Sequence, residues 1–293
     1  MHIDKCVRIV VIRHLMEIVT SVKFNDNEKS SPNSFDYDIG ILRQFSEKYD
    51  LKLHVYSKNP NMPLDAPENI IIDEPKYRLI EIPDIGRCDY AFIYHIVRNY
   101  DSLPEHLYFT KSNINDRILV DDVNHILFDY KYHFLNIGLH VKLQVYGDAP
   151  DFTGLPPLYP EDIENHCLSY KKNFECGRVR AYGFMDFFEM VFGCENKPPN
   201  TMVGVGFGHG PCFRVSRELI LRHPKTVYEK LLDTFYPNRG HWDAAPDISI
   251  EEQLDTIGKL YHDSLLRFWT LLFTYGTILE YETNFTTMVG FLL

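Results

Sequence analysis

Ile85-Gly86-Arg87-Cys88-Asp89 stands between a short apolar run and an apolar segment of helical spacing. A glycine lets the backbone approach a ligand closely. A helix start offers free N–H groups and the positive end of a dipole, both of which attract an anion. Arg87 adds a planar two-pronged donor that matches a diphosphate. The same residues also fit a plain strand-to-helix turn, with Arg87 in a surface ion pair and Asp89 as helix cap.

Two further stretches hold residue types that do chemistry. Asp121-Asp122-Val123-Asn124 follows the apolar Ile118-Leu119-Val120. Carboxylates at a strand end can hold Mg²⁺ or Mn²⁺ against a diphosphate, and two adjacent acids equally make a solvated turn. Phe207 to Glu218 places small residues around His209, then Ser216 and Arg217 at a helix start. His209, Cys212 and Arg217 could face a substrate there, while Ser216 also fits an N-cap and the glycines a bulge. The spacing is not a dinucleotide-binding fingerprint, and it lies late in the chain. The 13 histidines contain no HExxH, and the six cysteines no CxxC or zinc spacing. His223, His241 and His262 therefore read as structural. The thiols read as free, in a reducing compartment.

These residues must be held by a scaffold. Val7 to Ile12 reads as a first buried strand, and residues 25–36 as a polar loop. Ile39, Leu42, Phe45 and Tyr49 have helical spacing. Leu51–Tyr56, Ile70–Ile72, Leu79–Ile82 and Leu107–Lys111 read as strands, and Asp89–Asn99 as a helix. Strands alternating with helices over the first 110 or so residues predict an α/β fold with a mostly parallel central sheet flanked by helices. Ser216 opens another helix, and Thr226–Phe235 and Ile250–Phe273 are further ones. Residues 146–160 form a Pro/Gly-rich loop or lid within a single domain, 1–293.

The 293 residues and 45% hydrophobic content allow a sizeable core. The net charge of −11 argues against a general nucleic-acid binder, which needs a basic face. The start of the chain lacks the long apolar run of a secretory signal. The most apolar segment, LLRFWTLLFTYGTIL, is interrupted by Arg267, so no transmembrane segment is expected. These readings point to a cytoplasmic protein.

The stretch Asp84 to Pro104, DIGRCDYAFIYHIVRNYDSLP, resembles an uncharacterised domain family of fungi and large DNA viruses. That pattern runs Asn-Val-Gly-Arg-Glu, then Tyr-Leu and His-Ile, then Asn-Tyr-Asp-x-Leu-Pro. Val10–Arg13 looks like its opening strand, Phe213–Glu218 like its Phe-x-Val-Ser-Arg-Glu stretch, and Phe268–Phe273 like its closing Trp-containing helix. The family looks like the GT-A glycosyltransferases, which set a nucleotide-sugar diphosphate over the carboxyl ends of a central sheet. The chain departs from the pattern at Cys88, where the family has Glu. Lys111-Ser112-Asn113 stands where GT-A enzymes often have Asp-x-Asp, and Leu266 where the family has Glu.

The resemblance implies a glycosyltransferase with a nucleotide-sugar donor and a hydroxyl acceptor on a glycan, protein or lipid. Arg13, Gly86, Arg87 and Lys111 would hold the diphosphate. His95 and Asn99, with Asp89, would support the site, and His209, Cys212 and Arg217 would face the acceptor. Asp263 or Glu218 would be the base. Lys111 in place of acids implies a reaction without a metal or other cofactor. The departures keep open an inactive carbohydrate- or nucleotide-binding module. A metal-dependent phosphoester hydrolase using Asp121 and Asp122 is the third alternative.

Overall fold

The computed structural model describes residues 15–23, 33–112, 133–136, 141–146, 190–192, 203–208, 212–236, 268–269 and 272–273. Its strands are β1 (Met16–Lys23), β2 (Lys52–Asn59), β3 (Asn69–Asp73), β4 (Tyr77–Pro83), β5 (His106–Lys111), β6 (Phe134–Asn136), β7 (Val141–Tyr146), β8 (Val203–Gly208) and β9 (Phe213–Ser216). Its helices are α1 (Asn33–Tyr49), α2 (Arg87–Asn99), α3 (Arg217–Leu221) and α4 (Lys225–Asp233).

Seven strands form one sheet in the order β3-β4-β2-β1-β5-β9-β6, and β7 and β8 pair separately. β4, β2, β1 and β5 run parallel. β3 joins β4, and β9 joins β5 and β6, in antiparallel fashion. The fold is thus α/β as expected, but the sheet is mixed rather than mostly parallel. The cause lies in the connections. β3 and β4 are joined by a three-residue turn, closed by reciprocal Glu74 and Tyr77 backbone bonds, and so short a link can only make a hairpin.

The central strand is β1, which the sequence reading passed over; the expected strand at Val7–Ile12 lies outside the described residues. β1 is parallel to β2 on one side and to β5 on the other. The chain first winds outward through α1, β2 and β4, then returns through α2 to β5. Right-handed crossovers in opposite directions put their helices on opposite faces. Two cores result. Ile18, Val22, Leu53 and Val55 pack with Ile39 and Leu42 of α1. Val19, Tyr56, Ile82 and Phe109 pack with Phe92, Ile93 and Ile96 of α2.

Local chemistry sets the helix ends. α1 starts at Asn33, inside the stretch expected to be loop, because polar residues such as Asn and Ser open helices as readily as turns. It stops at Asp50, whose φ of 56° is left-handed. Leu51 N–H then reaches Ser46 O at 2.9 Å, and Asp50 N–H reaches Glu47 O at 3.4 Å, the pair of bonds that closes a Schellman end. Ser216 caps α3 by accepting from Leu219 N–H at 3.3 Å, as its residue type allows. Phe92, Phe109, Phe213, Trp269 and Phe273 form the aromatic centre of the α2-side core, with Phe213 and Trp269 rings 5.1 Å apart. Among the described residues no helix is long and apolar enough to cross a membrane.

Candidate functional site

β4 ends at Pro83, and the next three residues turn the chain into α2 at the carboxyl edge of the parallel strands. Gly86 has φ +61° and Arg87 φ +51°. Two successive left-handed residues make a sharp corner that ordinary side chains resist. A Cβ on Gly86 would overlap the Phe235 ring and come within 2.8 Å of Tyr90 Cβ. The glycine is therefore required by packing from within the protein. Arg87, by contrast, is exposed at the first position of α2.

Beneath this corner lies Lys58, a residue the sequence reading did not single out. It sits at the end of β2, 3% exposed, and its Nζ donates to Ile85 O at 2.5 Å. Lys58 is in register with Lys23 of β1, and Ser21 of β1 with Lys111 of β5. Three adjacent parallel strands thus each carry a lysine near their carboxyl ends. Lys111 is two strand spacings from Lys58, roughly 10 Å across the sheet.

Cys212 joins the same edge. It is 3% exposed, and its Sγ lies 3.6 Å from Thr110 Oγ1. Burial pushes its thiol up, while the Lys111 backbone and Thr110 hydrogen bonds oppose the shift and Cys88 adds to it. At neutral pH it is a protonated thiol, not a nucleophile. The structure therefore brings Gly86, Arg87, Lys111 and Cys212 to one edge.

Other expected site residues fall elsewhere. β9 runs antiparallel to β5, so Ser216 pairs with His106 at the amino end of β5. Arg217 and Glu218 follow directly, and Arg217 N–H binds Glu105 O at 2.8 Å. Both residues are exposed at the edge opposite Lys111, a separation of about 16 Å along the six-residue strand β5. Glu218 there lies 3.6 Å from His133 Nδ1 and 3.8 Å from Arg222. The topology does not unite Arg217 and Glu218 with the Gly86–Lys111 edge. Arg13, His209 and Asp263 lie outside the described residues, as do Asp121, Asp122 and the 147–160 stretch.

The three supporting residues have structural partners. Asp89 is fully buried and accepts the Trp269 indole N–H at 2.7 Å. It ties α2 to the closing Trp-containing segment and does not act as a cap. His95 is also fully buried, roughly 12 Å along α2 from Arg87. Its Nδ1 lies 3.0 Å from Tyr56 Oη, and its ring is edge-on to His54, whose Nε2 meets Glu17 at 3.0 Å. Burial holds the His95 imidazole well below its usual range, with His54, Lys52 and Arg78 adding to the effect, so it is neutral. Asn99 donates to His95 O at 2.8 Å. His223 is likewise structural, with Nε2 2.7 Å from Leu272 O. Among the described residues no group of three or more His, Cys, Asp or Glu converges as a metal site.

The carboxyl edge therefore carries the cationic side chains of Arg87 and Lys111, with Lys58 bracing the corner from below. Comparison of the chain with known protein families, with curated proteins and with solved structures gave no match.

Proposed function

We propose that the chain is a glycosyltransferase of the GT-A type, moving a sugar from a nucleotide-sugar to a hydroxyl of a glycan, protein or lipid. One observation carries the reading: the winding direction reverses at β1, between β2 and β5, and Lys111, Lys58 and Arg87 stand at the carboxyl edge of that reversal. Open α/β sheets bind ligands in the crevice at this point. The donor diphosphate would lie across it, held by Arg87 and Lys111.

In the reaction the bond from the anomeric carbon to the diphosphate oxygen breaks. The acceptor oxygen takes its place on that carbon and gives its proton to a base. The Lys111 ammonium stabilises charge on the departing diphosphate, a task that a divalent ion performs in metal-dependent sites. Transfer is therefore expected to persist in EDTA and to fall sharply in Lys111→Ala. Binding is tested by thermal shift with UDP-, GDP- and dTDP-sugars, with and without Mn²⁺. No response to any of them, or full activity in Lys111→Ala, would remove the reading.

A second reading, a nucleotide-sugar-binding module without turnover, is favoured by the displacement of Glu218 to the opposite edge. Binding without release of free nucleotide would select it.

A further inference from the structure

The carboxyl-terminal half of α2 lies over the amino ends of β1 and β2, and two imidazoles meet there. His54 of β2 and His95 of α2 are both buried, with ring centroids 4.8 Å apart and the rings edge-on. His54 Nε2 donates to Glu17 Oε2 of β1 at 3.0 Å. His95 Nδ1 lies 3.0 Å from Tyr56 Oη and 3.4 Å from the Asn99 amide nitrogen. Two donors converge on Nδ1, so the neutral ring carries its proton on Nε2.

The cluster is incomplete. His54 Nδ1 and His95 Nε2 are buried without a hydrogen-bond partner among the described residues. With the tautomers above, the first is an unmet acceptor and the second an unmet donor. The surrounding charges are also unequal. Glu17 comes from β1, Lys52 of β2 is in register with it, and Arg78 of β4 is in register with His54. Tyr56 and Tyr94 meet edge-on, and Glu68 beyond them is held by Tyr94 and Arg98. From β5 the ring of Phe109 packs against His95 and brings no charge. Two imidazoles therefore have one carboxylate in contact, with two permanent cations close by.

A proton added to His54 is met in place by Glu17. A proton added to His95 meets no anion. Its Nδ1 already faces two donors, and burial, His54, Lys52 and Arg78 all disfavour charge on the ring. Charging a buried group without a partner is costly, so His95 takes a proton only after its ring reaches water.

We propose that the His54–His95 pair is a proton-operated latch, which holds the carboxyl-terminal half of α2 on β1 and β2 while His95 is neutral and favours its release in acid. Opening frees His95–Asn99 and leaves the parallel strands paired. Released His95 binds a proton near pH 6.5 and docked His95 does not. Docking is therefore fully supported above about pH 6.5 and weakens as pH falls below it. One linked proton raises the opening constant about tenfold for each pH unit below that value. The latch stands apart from the carboxyl-edge reading, since it needs neither Arg87 nor Lys111 and no transfer.

The test is amide hydrogen exchange of the whole chain between about pH 7 and pH 5, corrected for the pH dependence of the chemical step. The opening constant of the His95–Asn99 amides is expected to rise about tenfold from pH 6 to pH 5. The Leu53 and Val55 amides of β2 are expected to stay protected. His95→Gln keeps a polar side chain that cannot charge, and it is expected to abolish the rise. Three results would overturn the proposal: no rise in the wild type, an equal rise in His95→Gln, or β2 opening in step with α2, which is global acid unfolding. If His95→Gln does not fold, imidazole NMR of the wild type decides. His95 is expected to keep its proton on Nε2 alone while α2 is docked, and an imidazolium in the docked state would overturn the latch.

Discussion

Gly86→Ala separates a glycine kept for packing from one kept for ligand approach. The new methyl would overlap Phe235 at Cδ1 and Cε1 and approach Tyr90 Cβ to 2.8 Å, against an ordinary carbon contact of about 3.5–4.0 Å. Phe235 is 1% exposed, and its ring stands edge-on to Tyr90 at 5.7 Å, so it has little room to swing aside. Overpacking of this kind costs about 1–3 kcal/mol. The left-handed φ of +61° adds about 1–2 kcal/mol for any side chain. The sum is about 2–5 kcal/mol, read as a lower urea midpoint in circular dichroism. Phe235→Ala alone is expected to cost about 3–5 kcal/mol through the cavity it leaves. In the double variant the Phe235 overlap is gone, and only the Tyr90 contact and the backbone part of the Gly86→Ala cost remain. The two changes should then be sub-additive by about 1–3 kcal/mol, a coupling that a double-mutant cycle measures directly. Strict additivity would refute the packing argument. A stable Gly86→Ala that binds nucleotide-sugars poorly would instead assign the glycine to ligand approach.

Arg87→Ala is expected to weaken nucleotide-sugar binding by about 1.5–3 kcal/mol, the scale of hydrogen bonds to charged groups, and unchanged calorimetric affinity would dismiss the assignment. Arg87→Gly should lose the same affinity yet gain about 0.5–1 kcal/mol of stability, since glycine tolerates the φ of +51°. Burial, helped by Arg214 and His133, lowers the His106 imidazole to about 4. The unfolded chain binds that proton near pH 6.5 and the folded one does not, so His106 favours the fold above pH 6.5 and loses that contribution progressively between about 6.5 and 4. Urea midpoints should fall across that window and fall less steeply in His106→Gln, while an identical slope would dismiss the effect. Trp269→Phe removes the indole donor to Asp89 and is expected to cost about 1.5–3 kcal/mol; a wild-type urea midpoint would show that the bond contributes nothing.

The elements legible in the sequence are those whose periodicity was local. Ile39, Leu42, Phe45 and Tyr49 announce α1, and the apolar run from Ala91 to Val97 announces α2. β1 escaped notice because Glu17, Thr20 and Ser21 interrupt it, and the partner of Glu17, His54, comes from the distant β2. Strand direction is not a local property either. The reversal at β9, which decides the edge on which Glu218 lies, emerges only when Phe213 meets Phe109. Lys58 looks like a solvated strand end until the fold places Ile85 O against its ammonium. Asp89 reads as a helix cap, but its partner is 180 residues away in the chain. Gly86 and Arg87 were visible as a corner because glycine at a strand-to-helix junction has a direct backbone meaning. Which force fixes the glycine was not visible, since Phe235 comes from α4.

The position of β1 also constrains the order in which the chain can assemble. Its partner β2 follows within about 30 residues, but the other, β5, begins at His106, some 83 residues after Lys23. At about 5–20 residues per second of synthesis, β1 waits roughly 4–17 s with one backbone edge unpaired. During that interval Thr20 and Ser21 lie on an open strand edge, the feature most prone to pair with another chain. Closing the β1–β5 ladder requires a long loop to be ordered before any contact rewards it, which makes it a slow step. Nascent chains stalled before residue 106 should therefore be the aggregation-prone species, and release of the β5 segment should mark the point at which they become protected.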